Sequence, residues 1–385
     1  MINILFIHQS AELYGSDKTL LLFLKNIDKT QFKPIVILPI DGPLKDELEK
    51  IDVQVIIAPV LKLYRKMFTF KNIIKFFKDI KVGFKIIDEI NKKEKIDIIY
   101  SNTLAVLLGL FYAKKRKTKH VWHVHEIIES PKIFTFVFTK LLSSKATNTI
   151  IYNSIATKNF WNKNKKINKK SIIVCNGLEV PTDILTTMQI EKFREENFNA
   201  TSSQIIIALV GRISRWKGQK VLLNSFYQIL KKHNDIKLIF VGSPPPNQEL
   251  FLIEIKDQIN QLNISDKVQL IPFTNEISKI WQSIDIAVVP SIEPEPFGLV
   301  AVEAMLAHKP LIGSNHGGLT EIIINNETGF LVEPKNEETL SNALIKLIEN
   351  PSLRSSFGEK GYQRAINEFS IDTYVKKLEN TLLNR

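Results

Sequence analysis

Several common signals are missing from this sequence of 385 residues. Its single cysteine, Cys175, excludes an internal disulfide bond and a cysteine-based metal site. No Gly-x-Gly-x-x-Gly occurs, so a dinucleotide cofactor is not expected, and no Asp-x-Asp occurs either. No apolar run reaches the length of a transmembrane helix, and the start lacks the basic stretch and cleavage site of a signal peptide. We therefore expect a protein of the cytoplasm.

Acidic residues are too few in the first half of the chain to balance the basic ones. Residues 1–180 hold 31 Lys and Arg against 16 Asp and Glu, a net charge of +15, whereas the remainder carries −3. A basic half suits an anionic partner, such as nucleic acid, a membrane surface or a phosphorylated substrate, although it can also serve solubility alone. The hydrophobic content of 44% and the charged content of 24% are typical of a globular protein.

Strand-like apolar runs alternate with amphipathic stretches along the chain, which predicts parallel α/β sheets. Asn176-Gly177 interrupts the alternation, and the polar residues 178–203 are interpreted as a linker region. We expect domains over residues 1–180 and 181–370, followed by an amphipathic helix in 371–385. The predicted strands are Ile4–Ile7, Pro34–Leu38, Val53–Ala58, Ile96–Ser101, His120–Val124, Thr149–Asn153, Ile172–Cys175, Ile205–Val210, Ile236–Val241, Val268–Ile271, Ile284–Pro290, Pro310–Gly313 and Phe330–Val332.

Two glutamates flank the start of a predicted helix in the second domain. Glu295 lies in the loop that leaves the strand Ile284–Pro290, and Glu303 lies about a turn and a half into the following helix. The main-chain N–H groups of Phe297, Gly298 and Leu299 open that helix and can face an anion. Two carboxylates with such a helix start suit a ligand that has hydroxyls at both ends and phosphates between, such as a nucleotide sugar. Alternatively, one glutamate balances the helix dipole and the other is solvated.

Two cations follow the first strand of the second domain. The run Gly211-Arg212 leads through the loop to Lys217-Gly218. Arg212 can bind a diphosphate through two parallel hydrogen bonds, and Lys217 can act on it as a point charge. The alternative is a solvated basic loop.

The first domain has two weaker candidates. Gly15 and Ser16 follow the first strand and precede a helix, where a main chain can approach a phosphate. His123 and His125 end the fifth strand on the same side of it, but this spacing is weak evidence for a metal site, and a lone histidine is more often a core residue.

The glutamate region resembles the retaining glycosyltransferases of family four. The resemblance rests on Pro294-Glu295-Pro296-Phe297-Gly298, on the seven residues between the glutamates, on Gly317-Gly318-Leu319-Thr320-Glu321 and on the Gly-Arg … Lys-Gly run. It implies the GT-B fold, in which two facing Rossmann-like α/β domains enclose a cleft and the last helix crosses back onto the first domain. It also implies transfer of a sugar from a nucleotide sugar to an acceptor hydroxyl, with retention of configuration and without a cofactor or metal.

The resemblance assigns roles to single residues. Arg212 and Lys217 would stabilise the departing nucleoside diphosphate, Glu303 would bind the ribose hydroxyls, and Glu295 would hold the sugar. His125 would hydrogen-bond the donor sugar or the reacting region. The remaining donor-site residues implied are Gly15, Ser16, Gly211, Phe297, Gly298 and Leu299, and softer matches are Asn153-Ser154, Asn176-Gly177 and Gly242-Ser243-Pro244. The first loop departs from the family, because Tyr14 replaces a glycine and Asp17 replaces a glutamate.

The acceptor side is open to more than one interpretation. The stretch Leu61–Ile87 mixes lysines with phenylalanines, which suits an anionic membrane surface but equally a helix with its aromatic rings in the core. A lipid-linked glycan in surface polysaccharide assembly is the favoured acceptor, and the protein would then lie at the inner membrane. The alternatives are a nucleotide-sugar epimerase and, disfavoured because no recognised motif is present, a nucleic-acid-binding protein.

Overall fold

The computed structural model describes residues 1–62 and 70–383. The chain divides into two compact units. Unit 1 contains Met1–Leu178 together with the final helix, and unit 2 contains Glu179–Ser370. Both are parallel α/β sheets, so in each unit the loops that follow the strands meet at one edge.

Unit 1 is built on a seven-stranded parallel sheet. Apolar residues fill both faces of the central strands: Leu5 and Ile7 belong to one core cluster, and Ile4 and Phe6 belong to another. Burial on both faces explains why these strands read as continuous apolar runs. The strand order is β3-β2-β1-β4-β5-β6-β7, with β1 Ile2–His8, β2 Phe32–Leu38, β3 Gln54–Ile57, β4 Ile98–Asn102, β5 Lys119–Val124, β6 Thr149–Tyr152 and β7 Ser171–Ile173.

Helices cover both faces of this sheet. They are α1 Gly15–Asn26, α2 Pro43–Lys50, α3 Phe70–Lys93, α4 Leu108–Arg116, α5 Lys132–Leu142, α6 Ile155–Trp161 and α7 Lys165–Asn168, and the last helix of the chain is α16 Ile371–Leu383. The helix α16 packs on α1, where the ring of Tyr374 meets that of Phe23 edge to face at 6.1 Å and Leu378 is fully buried. The expected return of the last helix to the first domain is confirmed.

Unit 2 is built on a six-stranded parallel sheet of order β10-β9-β8-β11-β12-β13. Its strands are β8 Ile205–Val210, β9 Ile236–Val241, β10 Val268–Ile271, β11 Ile286–Val289, β12 Leu311–Ser314 and β13 Gly329–Val332. Its helices are α8 Thr187–Phe198, α9 Gln219–Leu230, α10 Leu250–Gln261, α11 Ile277–Ser283, α12 Leu299–Leu306, α13 Leu319–Ile322, α14 Glu337–Glu349 and α15 Pro351–Glu368.

The interpretation of residues 178–203 as a linker region is wrong for most of that segment. Thr186 caps α8 through its side chain, and the guanidinium of Arg194 donates to the main-chain oxygen of Ser283 at 2.8 Å and to Asp285 at 2.9 Å. These bonds hold α8 against α11, so the segment is part of unit 2. Most of its positions are exposed and polar, so the helix lacks the periodic pattern of apolar residues from which a helix is predicted.

The predicted strands are all present, and the expected fold class of two Rossmann-like α/β domains is confirmed. None of the described helices combines the length and the apolar composition needed to cross a membrane.

Candidate functional site

Two loops of unit 2 are in direct contact at the carboxyl edge of its sheet. The loop after β8 ends at Gly218, whose φ of +77° brings it so close to Pro290 that a β-carbon would lie 2.0 Å from the Pro290 oxygen. The N–H of Ile292 donates to the main-chain oxygen of Trp216 at 2.7 Å. Glycine at position 218 is therefore needed for the loop with the cations to lie against the loop with Glu295.

Lys217 and Glu295 form an ion pair across these two loops. The Lys217 Nζ lies 2.6 Å from Oε1 of Glu295, and the hydroxyl of Ser291 donates to the same oxygen at 2.5 Å. Glu295 is only 9% exposed. Burial by itself raises the pKa of this carboxyl, but the charge and hydrogen bond of Lys217, with the Ser291 bond, hold the pKa below its usual value. Lys217 is thus a paired, partly buried cation.

The loop after β12 fixes the main chain around Glu295. Gly318 donates its N–H to the main-chain oxygen of Glu295 at 2.7 Å. Gly317, at φ +60°, lies so close to the main chain of Glu295 that a β-carbon would not fit. The ring of His316 donates from Nε2 to the main-chain oxygen of Ser291 at 2.8 Å. The Gly317-Gly318 pair therefore positions Glu295.

The helix α12 begins beside the same loop and carries Glu303. Gly298 precedes it at φ +110° and, as the N-cap residue, has no side chain to cap its first N–H groups. Glu303 lies on the second turn, where the buried indole of Trp281 donates to Oε2 at 3.1 Å. An uncapped helix start favours an anion, and an anchored carboxylate can accept from hydroxyls.

Arg212 lies at the start of the loop between β8 and α9, the loop that also contains Lys217. Gly211 and Gly242 lie so close that a β-carbon on Gly242 would meet the Gly211 oxygen at 2.1 Å. The side chain of Gln219 donates to the Arg212 main-chain oxygen at 2.9 Å, which ties this end of the loop to α9. Arg215, in the same loop, is exposed and pairs with Glu293 at 2.6 Å.

Unit 2 thus brings together Arg212, Lys217, Glu295, Glu303 and the start of α12 at one sheet edge. This combination can bind a group with a central anion and hydroxyls on both sides. Within the part of the chain that the structure describes, no three His, Cys, Asp or Glu side chains are placed to hold a metal ion.

The candidates of unit 1 lie at the edge of its own sheet. His123 and His125 are on the same side, with ring centroids 4.0 Å apart, and His123 shares a 2.7 Å hydrogen bond with Tyr100. Burial, with smaller contributions from His123 and His8, lowers the pKa of His125 well below its usual value, so the ring is neutral. Gly15 and Ser16 form the first turn of α1.

Glu126 follows His125 and accepts from two main-chain N–H groups. These belong to Leu104, at 3.0 Å, and to His125 itself, at 2.9 Å. Burial outweighs these bonds and raises the pKa of Glu126 to about 7. The side chain therefore fixes the main chain beside His125.

Sequence reasoning missed several residues of these sites. His8 is fully buried and pairs with the buried Asp17 at 2.5 Å, and Asn102 joins His8 to His125. The only signal for His8 and Asn102 is that each ends a strand at the functional edge. His316 and Trp281 in unit 2 gave no local signal, because their partners are more than twenty residues away in the sequence. Ser291 lies only four residues before its partner Glu295, but a serine at this spacing in a loop has no periodic pattern.

Neutralising Glu295 tests its pairing with Lys217. Glu295→Gln should lower the free energy of unfolding at pH 7 by about 1–3 kcal/mol, because a partly buried ammonium loses its counter-charge. The folded-state pKa of Glu295 is lowered, so its stabilisation is fully present above pH about 4.5 and is lost as the pH falls through the lowered pKa. The two proteins should therefore converge in urea unfolding as the pH falls from 7 towards acid. Glu293→Gln, in the exposed pair, is the matched control; an equal effect there contradicts the assignment.

The comparisons with known proteins agree with this geometry. Residues 189–364 match the family described as glycosyl transferases group 1. An uncharacterized glycosyltransferase of Methanocaldococcus jannaschii is 32% identical over 177 residues, which cover 46% of this chain and 44% of that protein. The capsular polysaccharide biosynthesis glycosyltransferase CapM of Staphylococcus aureus is 28% identical over 254 residues, 65% of this chain and 62% of CapM. The matched parts of the chain thus span about half of these relatives.

A crystal structure of Anabaena Alr3699/HepE, in complex with UDP and glucose, matches over 100% of both chains with a TM-score of 0.86 and 24% identity. At this identity the likeness shows the fold alone, and it confirms the GT-B fold class. The residues that build the unit 2 site lie within residues 189–364, the part of the chain that matches the glycosyl transferases group 1 family.

Proposed function

We propose that this protein is a retaining, metal-independent glycosyltransferase that transfers a sugar from a nucleotide sugar to an acceptor hydroxyl. The observation that carries the proposal is the Lys217–Glu295 pair beside the uncapped start of α12. A cation, a carboxylate and free N–H groups match the phosphate and hydroxyl groups of such a donor. The family match and the UDP and glucose bound by Anabaena Alr3699/HepE support the choice of donor class.

Lys217 and Glu295 have different roles in this proposal: Lys217 acts on the leaving group, and Glu295 acts on the sugar. When the bond between the sugar and the diphosphate breaks, negative charge develops on the leaving oxygen, and Arg212, Lys217 and the dipole of α12 stabilise it without a metal ion. Among the described residues, the bonds from Lys217 and Ser291 both end on Oε1 of Glu295. The oxygen Oε2 can therefore accept from a sugar hydroxyl while Oε1 holds the ammonium in place.

Removal of Arg212 tests the leaving-group role. Arg212→Ala should lower the turnover on the order of a hundredfold, because charge on the diphosphate loses one stabilising group. Arg215→Ala, an exposed cation of the same loop, should retain full turnover. The measurement is the release of nucleoside diphosphate from a panel of nucleotide sugars, with chelator present throughout.

Three results would contradict the proposal. Turnover of Arg212→Ala within twofold of the parent refutes the role of Arg212. Loss of all activity with chelator, restored by magnesium or manganese, refutes metal independence. Formation of an epimer of the sugar in the absence of an acceptor indicates the epimerase alternative.

The ribose role belongs to Glu303. The indole N–H of Trp281 occupies Oε2, and a glutamine at this position can still accept that bond with its one carbonyl oxygen. Glu303→Gln should therefore fold as the parent does but bind the free nucleoside diphosphate more weakly by roughly 1.5–3 kcal/mol, the value of a hydrogen bond to a charged group. Calorimetry decides: equal dissociation constants for parent and variant rule out the ribose role.

The acceptor is proposed to be a lipid-linked glycan at an anionic membrane surface. The relation to CapM, named for capsular polysaccharide biosynthesis, supports a glycan acceptor. On α3, Phe76 and Phe84 pack against the core, whereas Ile74 and Phe77 are 56% and 62% exposed beside lysines. This supports a mixed interpretation of Leu61–Ile87, since some of its aromatic rings are core and others are not. Residues 63–69 and the side chain of Lys71 lie outside the described part of the chain.

The surface of α3 gives a test of membrane binding. Lys75 pairs with Asp79 at 2.6 Å, so Lys78 and Lys81, both exposed, are the better targets. The parent should co-sediment with vesicles that contain anionic lipid, because each basic residue near such a surface contributes about 1 kcal/mol, and salt should weaken the binding. Replacing Lys78 and Lys81 with Glu should reduce it and leave donor hydrolysis intact. A matched control replaces Lys231 and Lys232 of unit 2 with Glu; equal losses, or no binding by the parent, would contradict a membrane role of α3.

A further inference from the structure

A continuous chain of hydrogen bonds joins Asp17 to His125 at the carboxyl edge of the unit 1 sheet. Oδ1 of Asp17 lies 2.5 Å from Nε2 of His8. On the other side of that ring, Nδ1 of His8 lies 2.9 Å from Nδ2 of Asn102. Oδ1 of Asn102 lies 3.0 Å from Nε2 of His125. The chain therefore has three links, and all four of its residues belong to unit 1.

The orientation of the Asn102 amide fixes the direction of every link. Its nitrogen can only donate, so Nδ1 of His8, 2.9 Å away, accepts from it, at a shorter distance than its 3.3 Å contact with the Asn102 main-chain oxygen. His8 then carries its proton on Nε2 and donates it to the carboxylate of Asp17. The second hydrogen on Nδ2 of Asn102 faces the main-chain oxygen of Ser16, with 3.4 Å between the nitrogen and the oxygen. Both donors of Asn102 are thereby directed away from His125.

The last link determines the state of His125. Because the amide oxygen of Asn102 faces His125, Nε2 of His125 must carry a proton and donate to it. The His125 ring is neutral, and a neutral imidazole has one donor and one acceptor. Its other nitrogen, Nδ1, is therefore the acceptor.

We propose that Asp17, acting through His8 and Asn102, sets the tautomer of His125 so that Nδ1 accepts a hydrogen bond from a sugar hydroxyl. Asp17, His8 and Asn102 are then positioning residues. The part that concerns the sugar rests on the proposed function and on the expectation, from the family resemblance, that His125 hydrogen-bonds the donor sugar. The tautomer itself depends only on the three links.

A single substitution should reverse the direction of donation in every hydrogen bond from residue 17 to His125. The main-chain N–H of Tyr14 donates to Oδ2 of Asp17 at 3.0 Å. In Asp17→Asn the N–H of Tyr14 needs an acceptor, so the carbonyl oxygen of the new amide should take the place of Oδ2. The NH2 group of that amide then takes the place of Oδ1, faces His8 and donates to its Nε2. His8 then carries its proton on Nδ1, Asn102 turns its oxygen to His8, and its NH2 donates to Nε2 of His125. His125 must then carry its proton on Nδ1.

Nitrogen-15 NMR of protein labelled in histidine reads this tautomer directly, with the His125 signals identified by their loss in His125→Gln. The parent should show a proton on Nε2 of His125, and Asp17→Asn should show it on Nδ1. Ser10→Ala is the matched control, because Ser10 also donates to Asp17 but lies outside the chain, and it should keep the parent tautomer. A proton on Nδ1 in the parent, or an unchanged tautomer in Asp17→Asn, overturns the proposal.

A second variant covers the case in which Asp17→Asn does not fold. In Asn102→Asp a carboxylate faces both rings and can only accept, so His125 should keep its proton on Nε2 while His8 gains one on Nδ1. An Asn102→Asp variant with the His125 proton on Nδ1 overturns the proposal.

The kinetic readout separates positioning from folding. Asp17→Asn should lower kcat/KM for sugar transfer about tenfold, because a donor replaces an acceptor at Nδ1, and binding of the free nucleoside diphosphate should be unchanged. An inverted tautomer with an unchanged kcat/KM overturns the role toward the sugar. If the parent transfers no sugar at all, the proposed function fails, and the NMR experiment still decides whether Asp17 sets the tautomer.

Discussion

A carboxylate that leaves water must keep a counter-charge, and the site in unit 2 depends on how Glu295 meets this requirement. Lys217 supplies the charge from another loop, at 2.6 Å. That distance is reached only because Gly218 lets the two loops approach, and it is kept because Gly317 and Gly318 lie against the main chain of Glu295. The glycines around the site are therefore consequences of one ion pair, since larger residues would separate its loops.

Unit 1 uses a different way of fixing its polar groups. Along the chain from Asp17 to His125, each link fixes which group donates the next hydrogen bond. Burial keeps His125 neutral, which makes the direction meaningful, because an imidazolium would donate from both nitrogens. Unit 2 thus presents a paired charge, and unit 1 presents a neutral imidazole of fixed orientation.

The fold could be predicted almost completely from the sequence, and the sites only in part. Strands buried on both faces are apolar throughout, so their pattern is local and readable. The unit 2 candidates were found because Glu295, Gly298 and Glu303 lie within nine residues of one another. Trp281 and Ser291 could not be found in this way, because a side chain that anchors a carboxylate carries no periodic signal. The helix α8 was missed because its buried residues are Arg194 and Phe198, which together give no apolar period of a helix.

The excess positive charge of the first half of the chain is not used by the polar groups at its sheet edge. His8, Asn102 and His125 lie at that edge with the carboxyl groups of Asp17 and Glu126, whereas the described lysines of α3 from Lys75 to Lys85 lie at the surface. Two of these lysines, Lys75 and Lys85, have acidic partners one turn away on the same helix, so the charge there is partly compensated. Lys78 and Lys81 form no ion pair with an acidic residue in the described part of the chain, and they adjoin the exposed ring of Phe77. The membrane role proposed for α3 rests on this combination, because positive charge beside an exposed aromatic ring suits a partner that is both anionic and apolar.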